Sequence, residues 1–238
     1  MLTVSKPKHH IKMIFIVVFV QCLLLIIGNA AYAEPYLQLD AYPAGYVGGE
    51  EESIVTTSGQ FSLYALVNSE KGSINGPFYL SVAIMPDPGE TGPNLGSYDF
   101  DGDTKQVVGD MIYGTPPLDE YLISKGLPSH GIFDTYYHEY EFVLDQNNRA
   151  VLYNSQDNPG GPVPDSAGTL YYEEFIVDAT GLVSGYVLHF DLYTKNIDGG
   201  IDKFAPFSHD VTHAPVPGAL LLGLLGMGVA GIKLRKHA

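Results

Sequence analysis

The sequence predicts an all-β body folded as a single antiparallel β-sandwich, and three observations carry that expectation. Between residues 34 and 214 helical periodicity is nearly absent, short runs of alternating apolar and polar residues recur, and clusters of Gly, Pro and Asn separate the runs. Eight or nine such runs over 181 residues suit two packed sheets around one core.

Taken in order, 37–41 and 54–57 are short, weak strands. Phe61, Leu63, Ala65 and Val67 share one face of the next, with Ser62 and Tyr64 opposite. Phe78–Met85 is almost continuously apolar, as a central strand covered on both faces would be. A weak strand is expected at 107–108, and a short helix at 118–124, because Pro116-Pro117 suits a first helical turn. Tyr140, Phe142 and Leu144 then alternate with Glu139 and Glu141, and a weak strand follows at 151–153. The run 170–177 is a strand carrying Glu173 and Glu174. In the last strong strand Tyr186, Leu188, Phe190 and Leu192 face one way, and Val187, His189, Asp191 and Tyr193 the other. Long loops are expected at 86–96, 115–130 and 154–168, where binding tends to concentrate. Residues 208–214 read as a spacer behind the body.

The two ends of the chain have a different character. Lys6, Lys8 and Lys12 precede an apolar run over 13–27 that only Gln21 and Cys22 interrupt, and Ala31-Tyr32-Ala33 follows. A basic region, an apolar helix and an Ala-x-Ala site, with Ala31 and Ala33 at the cleavage positions, make residues 1–33 a secretory signal peptide for the Sec export machinery. An uncleaved anchor is the alternative. Val20-Gln21 before Cys22 do not suit a lipoprotein signal. Cys22 is the sole cysteine, so a body starting at Glu34 has no disulfide, no Cys-ligated zinc and no Cys nucleophile. Its core must stabilise it.

All 27 acidic residues fall in 34–214, against six basic ones (Lys71, Lys105, Lys125, Arg149, Lys195, Lys203), a net charge of −21. Nucleic acid is excluded as a partner, because neutralising phosphates needs a basic patch. The acidity fits solubility outside the cell, or carboxylates that hold Ca²⁺ there.

At the other end, Ala214-Pro215-Val216-Pro217-Gly218 precedes 14 residues, 219–232, that are all apolar or Gly. Lys233, Arg235 and Lys236 then follow. Spanning hydrocarbon takes about 20 residues, a length that 214–234 reaches with Lys233 snorkelling outward, and the basic cluster would stay cytoplasmic. A transmembrane helix is expected; a C-terminal core helix is the alternative. The order Pro-Val-Pro, apolar helix, basic tail resembles the PEP-CTERM sorting domain, which accompanies exosortase in Gram-negative bacteria that make extracellular polysaccharide. Val216 stands where that family usually has Glu. The resemblance implies membrane insertion through the tail and processing by an exosortase-type enzyme near Pro217.

A second resemblance covers most of 36–210. LQLD (37–40), TSGQFSLYALV (57–67), MIYGTPPL (111–118), LPSHGIF (127–133), YNSQDNPG (153–160), GYVLHFDLY (185–193) and DKFAPFSHD (202–210) are similar to the choice-of-anchor N proteins, exported domains with interchangeable C-terminal anchors. It implies surface display and brings no catalytic residues. The sandwich, jelly-roll or cohesin-like, rests on the periodicity alone. The expected organisation is signal peptide 1–33, sandwich 34–213 and sorting tail 214–238.

Several constellations invite a chemical reading. Asp99, Asp101 and Asp103 alternate around Gly102 and could converge on a structural Ca²⁺, although the EF-hand positions for Gly and Glu hold Thr104 and Asp110. An acidic hairpin turn accounts for the same residues. Asn196, Asp198 and Asp202 make a similar oxygen-rich turn, of residue types that turns require anyway. His138-Glu139 lacks the second His of a zincin, since Phe142 stands there. His189 is expected to pack on the second face of its strand and bond locally. His209-Asp210 could be an orienting pair, but no Gly-x-Ser-x-Gly elbow supplies a nucleophile. Tyr121, Tyr136 and Tyr137 are the candidates for stacking a sugar, among 17 Tyr that otherwise suit half-buried strands. The expectation is a non-enzymatic, exported protein of the cell surface or biofilm matrix, with extracellular polysaccharide binding as the alternative.

Overall fold

A computed structural model describes residues 34–47, 53–90, 94–127 and 134–214. The strands follow in chain order as β1 (Leu37–Tyr42), β2 (Gly45–Val47), β3 (Ser53–Thr56), β4 (Gln60–Asn68), β5 (Phe78–Met85), β6 (Ser97–Phe100) and β7 (Asp103–Gln106). Then come β8 (Ile112–Gly114), β9 (Thr135–Phe142), β10 (Arg149–Ala150), β11 (Leu170–Asp178), β12 (Val187–Lys195), β13 (Ile201–Phe204) and β14 (Val211–His213). Among the described residues two short helices, α1 (Val107–Asp110) and α2 (Pro117–Ser124), and a 3-10 turn, Phe207–His209, accompany the strands.

The first sheet runs β1-β4-β11-β6-β7, with β10 beside β11, and is antiparallel throughout. The second runs β2-β3-β14-β12-β5-β9-β8, with β13 beside β12. Its β3–β14 pair is parallel, so the expected purely antiparallel sandwich becomes a mixed one. Strand alternation supplies the core. Leu37, Leu39, Leu63, Val67, Phe175 and Val177 of the first sheet meet Ile54, Leu80, Val82, Ile84, Leu188, Phe190, Leu192 and Val211 of the second in one buried cluster. Burying one such side chain is worth roughly 1.5–3 kcal/mol. Aromatic contacts tie the layers, with Phe61 edge-on to Phe190 at 6.0 Å and Phe100 stacked on Tyr140 at 4.1 Å.

Three sequence expectations need correction. Residues 107–108 belong to α1: the Asp110 carboxylate accepts the Gln106 N–H at 2.7 Å and closes a helical turn, leaving only Val107 buried. The expected strand at 151–153 is displaced to β10, and the chain beyond it turns across the outer face of the first sheet, held by Val151 N–H to the Val163 carbonyl at 3.0 Å. The expected spacer 208–214 contains β14, an interior strand paired on both sides, with β12 and β3. A three-residue strand is too short to show alternation.

The expected signal peptide, the sorting residues Pro215, Val216, Pro217, Lys233, Arg235 and Lys236, and the cleavage residues Ala31 and Ala33 lie outside the described residues. Among the described residues no helix is long and apolar enough to cross a membrane.

Candidate functional site

Each sheet turns one face to the core, and the other face of each carries a buried polar cluster. On β1, alternation points Leu37, Leu39 and Ala41 inward and would leave Gln38 and Asp40 in water. Both are fully buried, because the segment after β10 lies over them. The Asp40 carboxylate accepts the Tyr153 hydroxyl at 2.6 Å, the Gly160 N–H at 3.0 Å, the Gly161 N–H at 2.8 Å and its neighbour Ala41 N–H at 2.7 Å. Gly160 and Gly161 have positive φ, and a Cβ on Gly161 would meet the Tyr64 ring at 2.9 Å, so glycine is required for this approach. Gln38 accepts the Ser155 N–H at 2.9 Å and donates to the Tyr153 carbonyl. Burial pushes the Asp40 pKa up, opposed by the Tyr153, Gly161, Gly160 and Ala41 hydrogen bonds, and it pushes the Tyr153 phenol up as well. The bonds from Ser155, Gly160 and Gly161 fasten the 154–168 loop, which sequence reading marks as a binding loop, and those to Tyr153 hold the residue that leads into it.

The second cluster sits on the outer face of the second sheet. His189 and Asp191 alternate with Leu188, Phe190 and Leu192 on β12, so both point away from the core. Opposite them, β14 pairs His189 with Thr212 and Phe190 with Val211. Continued by one residue, that register would set Asp210, the residue before β14, across from Asp191. His189, Asp191 and Asp210 are 4%, 2% and 3% exposed. His189 Nε2 lies 3.3 Å from Asp191 Oδ1 and 3.7 Å from Asp210 Oδ2, while Nδ1 is 3.0 Å from Thr212 Oγ1. Thr212 Oγ1 is in turn 3.2 Å from Ser53 Oγ, which fixes the ring's orientation. Among the described residues these three side chains form a group of His and carboxylate atoms within 4.8 Å of one another, close enough to share one cation.

The sequence candidates fall elsewhere. Asp101-Gly102 is the two-residue loop of the β6–β7 hairpin, with φ of 55° and 83°. Asp99 accepts the Gly102 N–H at 2.8 Å and the Thr104 hydroxyl at 3.1 Å, and Asp103 pairs with Lys105 at 2.7 Å. Asn196 accepts the N–H groups of Asp198 and Gly200, both at 3.0 Å, in the turn between β12 and β13 that leads to Asp202. Both sets work as turns. Tyr136 is buried and donates to the Glu90 carbonyl at 2.6 Å, so it offers no exposed sugar platform. Tyr137 is half-buried on the outer face of β9. Tyr121 is half-buried on α2, edge-on to Phe204 at 6.2 Å, and lines an open groove of about 300 Å³ with Glu120, Ser124, Lys195 and Gly200.

His189 bonds locally on the second face, as the alternation of its strand predicts. His209 and Asp210 part company. His209 lies 2.9 Å from Asn154 Oδ1 and 2.9 Å from Ser208 Oγ, and burial lowers its pKa to about 4, while Asp210 faces His189. The signal that could have located the trio is the pair His189-x-Asp191 and Asp210-x-Thr212, two alternating polar sets that share a face once their strands pair.

No family model and no curated protein matches the chain. Among solved structures, ACE19, the collagen-binding subdomain of the Enterococcus faecalis surface protein ACE, is similar at 10% identity over 75% of this chain and 96% of that one, with a TM-score of 0.24. At that score the likeness carries no argument about this chain.

Proposed function

We propose that the chain is an exported, non-enzymatic β-sandwich protein, displayed at the cell surface or in the extracellular matrix through its C-terminal tail. In this reading Sec exports it, the tail inserts transiently, and an exosortase-type enzyme cuts near Pro217. The observation that supports it best is the position of β14. The last strand before the Pro-x-Pro motif lies inside a sheet, bonded to β12 and β3, and Ala214 N–H still donates to the Thr56 carbonyl at 2.8 Å. A pull on the tail therefore acts on paired strands of the core, which suits a body held by its C-terminus. The strongly acidic composition of residues 34–214 agrees with an extracellular setting.

Intact mass of the full chain, expressed in a Gram-negative host with and without an exosortase, tests the reading. It predicts a product from Glu34 to near Pro217 only when the enzyme is present. Retention of 219–238 in both samples removes the sorting step, and retention of 1–33 removes export by signal cleavage.

The groove at Tyr121 favours one second reading, a polysaccharide-binding module, since an aromatic face beside Glu120, Ser124 and Lys195 offers both stacking and hydrogen bonds to a sugar. Tyr121→Ala should then abolish retention on immobilised extracellular polysaccharide. Equal retention of variant and parent counts against it.

A further inference from the structure

The outer face of β12 and the residue that leads into β14 combine a donor set with a spacing that suits a metal ion. We propose that His189, Asp191 and Asp210 bind one first-row divalent cation, with Zn²⁺ preferred, and that this ion fastens the start of β14 to β12. The proposal stands apart from the display reading: a body without cysteine gains a staple wherever it works.

Asp191 and Asp210 bring carboxylate oxygens within 4.8 Å of each other, and like charges that close oppose each other's ionisation. Both are also buried, where charge is costly. A divalent cation with a neutral imidazole cancels the two carboxylate charges. The spacing agrees. With Zn–N and Zn–O bonds of about 2.0–2.2 Å, tetrahedral ligand atoms lie roughly 3.3–3.6 Å apart. His189 Nε2 is 3.3 Å from Asp191 Oδ1, within that range, and 3.7 Å from Asp210 Oδ2, just above it.

Two further features fit. With the metal on Nε2, Nδ1–H of His189 donates to Thr212 Oγ1, the kind of outer contact that orients metal-bound imidazoles. Ser81, the register partner of Asp191 on β5, is fully buried on the same face, and its hydroxyl has no hydrogen-bond partner among the described residues. An imidazole ligand argues against Ca²⁺ and Mg²⁺, which take oxygens, and favours Zn²⁺.

The test uses the purified full-length chain, stripped with chelator and titrated with Zn²⁺ or Ca²⁺. Bound metal is measured by mass spectrometry after desalting, alongside the melting temperature. The expected result is one zinc per chain and a rise in melting temperature that chelator reverses, with no comparable response to Ca²⁺. Asp191→Asn and Asp210→Asn should each abolish the response. Thr212→Val should weaken zinc binding about 10- to 100-fold. Absence of zinc binding by the parent chain overturns the proposal. So does zinc retained equally by both Asn variants, which would mark adventitious binding at other histidines, or a stronger response to Ca²⁺. Should the Asn variants fail to fold, Co²⁺ in the parent chain decides. The intense visible absorption of tetrahedral Co²⁺ supports the site, and its absence rejects it.

Discussion

The two outer faces of the sandwich solve the same problem, a buried carboxylate, in different ways. Around Asp40 the solution is donors: two glycine N–H groups, a third from Ala41 and a tyrosine hydroxyl converge on one side chain. Around Asp191 and Asp210 one neighbour is His189, whose nearest nitrogen is 3.3 Å from one carboxylate and 3.7 Å from the other. The first arrangement is satisfied by three backbone N–H groups and the Tyr153 hydroxyl, and serves as a latch for the loop above it. The second has the donors and spacing of a cation site. The lesson is that a buried acid identifies a site only through the chemistry facing it.

The largest expected effect separates packing from both clusters. Phe190 lies between His189 and Asp191 in sequence but points into the core, fully buried. Phe190→Ala should cost about 3–5 kcal/mol in urea unfolding of the metal-free protein. A loss below 1 kcal/mol would mean that β12 does not divide its faces as described. Next comes the latch. Asp40→Ala leaves the Gly160 and Gly161 N–H groups and the Tyr153 hydroxyl without their acceptor, and should cost about 3 kcal/mol. It should also open 154–168 to limited proteolysis, while Asp40→Asn, which keeps an acceptor oxygen, costs less. Unchanged cleavage in Asp40→Ala would break the comparison, because the loop would then need no latch. At the small end, Asp99→Ala should cost about 1 kcal/mol by removing the turn bonds to Gly102 and Thr104. That cost should be equal with and without Ca²⁺, and a Ca²⁺-dependent cost would restore the ion to this hairpin.

Acid sharpens the contrast through two opposed signs. Burial lowers the pKa of His213, which stacks on Phe61 at 5.7 Å, below the ordinary 6.5. Its contribution to stability is present above that value and lost as pH falls toward the folded pKa. Burial raises the Asp40 pKa above 3.8, so its contribution is full below that value and lost as pH rises through the folded pKa. Melting temperature measured from pH 7 downward should therefore fall less steeply in His213→Leu and more steeply in Asp40→Asn than in the parent chain. The reverse order of slopes would refute both assignments.

Much of the fold was legible because long strands show their period. Phe78–Met85 reads as a covered central strand and is one, between β12 and β9. Short elements escaped, since β2, β8 and β14 have three residues each and show no alternation. The missed β14 had the greatest consequence, because without it Asp210 and Thr212 have no face and cannot be placed beside His189. The acidic turns drew attention by composition, yet Asp99 and Asn196 spend their oxygens on local N–H groups. The carboxylates that gather belong to residues far apart in sequence, a relation that strand pairing creates and residue spacing does not reveal. Asp40 was hidden for a similar reason: a polar residue on a strand's second face reads as solvated until the chain beyond β10 is seen to cover it.

The most direct single measurement is the zinc-induced shift in melting temperature, recorded side by side for the parent chain, Asp40→Asn and Asp191→Asn. At zinc about 100-fold above its dissociation constant, binding should add about 2.7 kcal/mol. The account predicts a positive shift in the parent and in Asp40→Asn, and none in Asp191→Asn. A shift that survives Asp191→Asn, or is absent from the parent, would contradict it.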